Sequence, residues 1–291
     1  MTGLQTFIHP YLGIYTKCFL WQTDHFNIWI DSGLRSGWEP LLPLLSDRRH
    51  NVLLLTHGHW DHIGGVHLLR EHGGTVYGHP ADRPLLTDLE WHWQLLFGQF
   101  REDFSLPAAR ERTFRASVEA PADLDQPVAE GDMLCFDQLR FRVLETPGHS
   151  RGSICYLEEG SKTLFTGDTL MGNGFFGGTP QIEDFPRYLA SMDRLESISV
   201  ERVLTDHTPE HAGRELAVLA RAGRDCALRM EQAVRAYVAA APSHLRVGEA
   251  AAAIARAEGK NVGGGTCVSA LAALRQMTED PRARLCTEGY I

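Results

Sequence analysis

Cysteine is scarce in this sequence and never paired: the 291 residues hold six (Cys18, Cys135, Cys155, Cys226, Cys267, Cys286), with no CxxC and no close spacing. That excludes a zinc ribbon or a dense disulfide framework and makes a reducing cytoplasm the expected compartment. Long apolar runs are missing too. No window approaches the ~18 uncharged apolar residues a membrane span requires, and the first residues lack a basic stretch followed by an apolar one, so neither membrane insertion nor export is expected. Positive charge is in deficit, with 28 Lys and Arg against 37 Asp and Glu, a formal −9. This argues against strong nonspecific attraction to nucleic acid or anionic lipid. The deficit is uneven. Residues 212–291 hold 11 basic and 8 acidic side chains, leaving 17 and 29 for residues 1–211, so a mildly basic tail follows an acidic body. Internal repeats and low-complexity tracts are also lacking.

What the chain does have is core: 43% hydrophobic and 22% charged residues suit a soluble globular protein. The apolar and β-branched runs "FNIWID" (26–31), "NVLLL" (51–55) and "TVYGH" (75–79) predict strands, and "GGVHLLREHG" (64–73) predicts a helix, an alternation that implies an α/β layered core. Residues 84–104 are helical in pattern and carry Trp91, Trp93, Phe97 and Phe100, a set that suits core packing better than a substrate platform. Residues 109–130 are polar and poorly periodic, and predict an excursion over the surface. "DMLCF", "LRFRVLET", "SICYLEE" and "KTLFTG" predict a second, mainly antiparallel set of strands. A Gly-rich loop (171–180), a helix near 184–197 and a strand at 201–206 follow. After Pro209 the composition shifts to Ala, Arg and Leu, and three helices around the loop "NVGGGT" predict a small helical, winged-helix-like appendage. The expected division is 1–211 and 212–291, with the tail serving dimerisation or lid packing at least as readily as nucleic-acid contact.

The stretch "THGHWDHIGG" (56–65) puts three histidines and an aspartate into six positions directly after a buried strand. Residues two apart in an extended or turning loop project to one side, so His57 and His59 can share one ion while Asp61 and His62 reach a second. Crowding of this kind needs a metal, and Gly58 and Gly64 are expected to ease the turns.

The HxHxDH order resembles the metallo-β-lactamase superfamily. Four further motifs stand in the family's order: "DSG" (31–33), "TPGHS" with His149, "FTGDTL" with Asp168 and "VLTDHT" with His207, so that the resemblance covers roughly residues 10–210. It implies a four-layer αββα sandwich with the ligands on loops at one edge. By position it implies that His57, His59 and His149 hold one metal, that Asp61, His62 and His207 hold the second, and that Asp168 bridges them. Asp31 would stand behind the ligands and orient their loop. Asp61 and Asp168 are the implied catalytic carboxylates, acting with two divalent ions, zinc first and iron or manganese open. Two such ions ~3.5–4 Å apart hold a bridging hydroxide near neutral pH. His207 departs from the family pattern, which usually places Gly before it. Here Asp206 precedes it and is expected to orient His207 or change metal affinity, and His211 is a competing ligand.

Outside the ligands, His67, His72 and His79 suit packing or surface roles. Trp60, inside the motif where a small residue is common, is the best pocket candidate, with Phe175 and Phe176 weaker ones. The pattern with Asp61 is closer to glyoxalase-II-like thioesterases, lactonases and the nuclease branch than to true β-lactamases. The tail is similar to that of the LACTB-two-like group, which includes an endoribonuclease and polyketide thioesterases. The acidic body ranks a small acyl substrate, thioester or lactone, above single-stranded RNA. A non-hydrolytic metal or redox protein is the remaining alternative.

Overall fold

The computed structural model describes residues 3–103, 108–171, 179–240 and 245–277. Two six-stranded sheets form its centre. The first runs β1 (Gln5–Tyr11), β2 (Ile14–Gln22), β3 (Phe26–Ile30), β4 (His50–Leu54), β5 (Thr75–Gly78), β6 (Gln126–Pro127) in spatial order. Its first three strands are antiparallel; β3 to β6 are parallel. The second comprises β7 (Met133–Phe136), β8 (Leu139–Glu145), β9 (Ile154–Glu158), β10 (Thr163–Phe165), β11 (Arg202–Leu204) and β12 (His211–Ala212), antiparallel except where β10 meets β11.

The period-2 alternation of strand side chains decides what lies where. Ile28, Ile30, Val52 and Leu54 point between the sheets and meet Phe141, Val143, Tyr156, Phe165 and Leu204. Their sequence neighbours Trp29, Leu53, Cys155, Leu164 and Val203 face outward, into a second apolar cluster under the helices. Both faces of these strands are buried, which is why they read as unbroken apolar runs. Helix α1 (Leu42–Leu45) and α2 (Val66–Glu71) follow β3 and β4, and α2 packs on β4 and β5. Helices α3 (Arg83–Thr87), α4 (Leu89–Leu96) and α5 (Ala108–Ser117) lie between β5 and β6 in the chain. Helix α6 (Phe185–Glu196), capped by the Asp184 side chain, sets Met192 and Leu195 in the outer cluster beside Leu164 and Val203. The result is the four-layer αββα sandwich expected, with a C-terminal helical region of α7 (Leu216–Ala240), α8 (Val247–Glu258) and α9 (Gly264–Met277). Those helices are not held at a distance: α7 packs along α6, and α9 reaches α4.

The structure corrects two expectations and adds a hairpin that the sequence analysis does not name. That N-terminal hairpin, β1–β2, belongs to the first sheet. The supposed surface excursion contains α5, whose Phe114 is buried with its ring against Trp93 and Trp60, as is Val118 just past the helix end; so few apolar residues make too sparse a stripe to show as periodicity. Helix α9 begins inside the stretch expected to be the loop "NVGGGT". The segment "ARLCTEGYI" lies outside the described residues, as do Phe175 and Phe176. No helix among the described residues is long and apolar enough to cross a membrane.

Candidate metal centre

The loop after β4 is stitched to the "DSG" turn by backbone. The His62 carbonyl accepts the Ser32 N–H at 2.8 Å and the Ser32 hydroxyl at 2.7 Å, and Gly64 N–H donates to the Gly33 carbonyl at 2.8 Å. Asp31, in the left-handed region at φ 51°, receives the Thr56 N–H at 2.8 Å and the Thr56 hydroxyl at 2.6 Å. Gly58 and Gly64 are needed for space rather than for turn geometry, since neither has a positive φ. A Cβ at Gly64 would lie 2.3 Å from the Arg35 nitrogen.

This scaffold brings His57, His59 and His149 together, and Asp61, His62 and His207 together, each trio with ligand atoms within 4.8 Å of one another and all six residues buried. Between the trios stands Asp168. Its Oδ2 is 4.0 Å from His57 Nε2 and 3.6 Å from His149 Nε2; its Oδ1 is 3.4 Å from His62 Nε2 and 3.1 Å from His207 Nε2. His211 is not in either group: it hydrogen-bonds Thr208 at 2.8 Å. A third grouping, Asp31 with His57 and His62, also satisfies the distances, but both Asp31 oxygens already accept hydrogen bonds from Thr56.

Each trio has its own backing. Behind the first, the His149 Nδ1 lies 3.0 Å from the Gln181 carbonyl, and His59 Nε2 lies 3.1 Å from the Gln181 side-chain nitrogen and 3.6 Å from Glu183. Behind the second, His62 Nδ1 faces two buried carboxylates, Asp206 at 3.0 Å and Asp31 at 3.3 Å, and His207 Nδ1 is 2.6 Å from the Tyr15 carbonyl. Asp206 therefore bears on His62 and not on its neighbour His207, because adjacent residues leaving a strand point to opposite sides. Asp82 ties the two ligand loops together, accepting from Gly58 N–H at 2.9 Å, Gly152 N–H at 2.6 Å and the Ser150 hydroxyl at 2.6 Å.

The electrostatics divide along the same line. Burial, reinforced by neighbouring imidazoles, pushes His57 well below its ordinary value and His149 down to about 4. Burial opposes the charge of His62 and His207 as well, but Asp168 and Asp61 overcome it and raise both. Asp168 is held well below the usual carboxylate range, against its own burial, by His207 and His62. Burial lifts Glu183 to about 7. Within this shell His57 Nε2, His62 Nε2 and Asp168 Oδ1 are buried without a hydrogen-bond partner. Buried polar atoms left so are costly, and borderline nitrogen and hard oxygen donors converging on shared points are what divalent ions satisfy. The residues fit divalent metal ions.

In front of the trios opens a cavity of about 280 Å³. Trp60 does line it, held by edge contacts to Tyr11 at 5.2 Å and Phe97 at 6.5 Å between ring centres. Tyr11 escapes a reading of the sequence: its hydroxyl donates to Asp61 Oδ2 at 2.5 Å across 50 residues of chain, with no local motif to announce it. Glu183 and Gln181 escape it too, although a carboxylate just before a helix cap, downstream of a ligand strand, is a usable signal. His79 pairs with Glu145, and His67 lies beside Glu71, away from the trios.

A family model described as the metallo-beta-lactamase superfamily matches residues 13–207. The chain is similar to the atrochrysone carboxyl ACP thioesterase of Aspergillus fumigatus, 28% identical over 188 residues, 63% of this chain and 47% of the relative. It is similar also to the hydroxyacylglutathione hydrolase GloC of Haemophilus influenzae, 36% identical over 143 residues, 48% of this chain and 57% of the relative. The chain thus spans about half the length of these curated relatives. A metallo-beta-lactamase family protein from Thermus thermophilus superposes with TM-score 0.71 at 21% identity, covering 94% of each chain.

Proposed function

The chain belongs to the metallo-beta-lactamase superfamily, and from that premise we propose that it is a hydrolase dependent on two divalent metal ions, acting on a small acyl substrate, a thioester or a lactone. The observation that carries the reading is the placement of Asp168, with one oxygen toward each trio. His57, His59 and His149 would hold one ion, Asp61, His62 and His207 the other, and Asp168 both, with zinc the first choice for this donor set. When bound, such a pair supplies Lewis acidity at the acyl oxygen and a nucleophilic water near neutral pH.

The chain's own residues do the rest. Asp168 sets the separation of the two halves. Asp61, gripped by the Tyr11 hydroxyl, keeps its carboxylate at the floor of the cavity, where a proton leaving the attacking water can be held. Trp60 and Phe97 wall the cavity with aromatic surface and keep bulk water from the acyl group. The names of the two relatives, a thioesterase and a hydroxyacylglutathione hydrolase, support an acyl substrate. The single guanidinium among the described residues of the cavity lining supports it over RNA, which would call for a basic track with stacking platforms.

The test sets one metal-loaded sample against a thioester, a lactone and a short single-stranded RNA. Hydrolysis of an acyl substrate, abolished by a chelator and by Asp61→Ala, is expected. RNA cleavage that is lost in Asp61→Ala, with no acyl hydrolysis, would overturn the reading.

A further inference from the structure

Among the described residues lining the cavity, Arg110 of α5 is the one lysine or arginine. Its guanidinium carbon stands 5.6 Å from the centre of the Phe97 ring. No carboxylate among the described residues lies within ion-pair distance of it: the adjacent Glu111 is turned to Arg101 and Arg115. The arrangement is unusual in electrostatic terms. Arg110 is half-buried, so its guanidinium keeps only part of its hydration while no described side chain pairs its charge. It is also close enough for its charge to act on the Tyr11 hydroxyl, which itself bonds Asp61. An aromatic face supports a guanidinium flat and leaves its N–H fork free to meet two oxygens at once.

We propose that the substrate carries an anionic group, a carboxylate or a phosphate, that Arg110 clamps against the Phe97 wall while the acyl carbon sits before Asp61 and Asp168. The proposal rests on the acyl-hydrolase reading and narrows it to charged substrates. A neutral analogue leaves a guanidinium desolvated and unpaired, so selection falls on the charge and not on chain length.

Three thioesters separate the sources of that charge: S-glutaryl-N-acetylcysteamine, with a carboxylate on the acyl side; S-valeryl-N-acetylcysteamine, uncharged; and valeryl-coenzyme A, with phosphates on the leaving group. Wild-type protein is expected to prefer one charged substrate over the neutral one in kcat/KM by on the order of 10- to 100-fold. Arg110→Ala should erase that preference and Arg110→Lys should keep part of it. Preference for the glutaryl ester puts the anion on the acyl group, and preference for valeryl-coenzyme A puts it on the leaving group. No preference in the wild type, or a preference that survives Arg110→Ala, overturns the proposal. Calorimetric binding of glutarate, valerate and free coenzyme A to wild-type and Arg110→Ala protein needs no turnover. If none of the thioesters is hydrolysed, the hydrolase reading fails. Binding of glutarate or coenzyme A that is tighter than that of valerate and depends on Arg110 would still uphold the anion site, and equal binding in the two proteins would remove it.

Discussion

The two halves of the site share Asp168 and one edge of the sandwich, yet they are made of different electrostatic material. The half around His57, His59 and His149 is three imidazoles whose charging burial disfavours, backed by a carbonyl, an amide and Glu183, which burial lifts to about 7. The half around Asp61, His62 and His207 is the one rich in carboxyl groups: its own Asp61, Asp168 and, behind His62, Asp31 and Asp206, the last lifted to about 8 by burial and by Asp31. The first offers lone pairs already placed; the second offers charge. Residue type alone understates the difference, because the groups behind each trio would decide how it holds an ion.

Five substitutions bear on that contrast. Asp168→Ala removes the member common to both halves and should have the largest effect: metal content below one per chain by elemental analysis and hydrolysis reduced on the order of 10³-fold or more. A variant that kept two ions would break the idea of a shared carboxylate. His59→Ala and His207→Ala each disable one half, and each should leave close to one metal per chain. Asp206→Asn should weaken retention by roughly 10- to 100-fold, and only in the second half: a chelator competition should show the loss in the His59→Ala background and not in the His207→Ala background. Glu183→Gln is the mirror case and the smallest, about tenfold or less, because Gln181 still reaches His59. Its loss should appear only in the His207→Ala background. Crossed results for the last two would dissolve the contrast.

The residues of the two trios are legible in the sequence because they sit in motifs whose geometry is local: alternation along one loop puts His57 and His59 on one side, and turns after strands deliver His149, Asp168 and His207. The sandwich is legible for the same reason, in apolar runs that strands bury on both faces. What escapes is nonlocal. Tyr11 meets Asp61 only because β1 and β2 join the first sheet; Asp82 couples two loops that lie far apart in the chain; Gln181 and Glu183 matter because their segment passes behind His59. Sequence adjacency points Asp206 at His207, whereas the strand end turns it toward His62. Arg110 is inconspicuous within a segment whose pattern suggests a surface excursion. Only with α5 folded against Trp60 and Trp93 does the side chain face the cavity.

The shared position of Asp168 is tested most directly by anomalous diffraction from crystals of the full chain, prepared with zinc and without chelator. Two peaks are expected, one beside each trio, with an Asp168 oxygen on each. A single ion, or two ions that Asp168 does not touch, would contradict it.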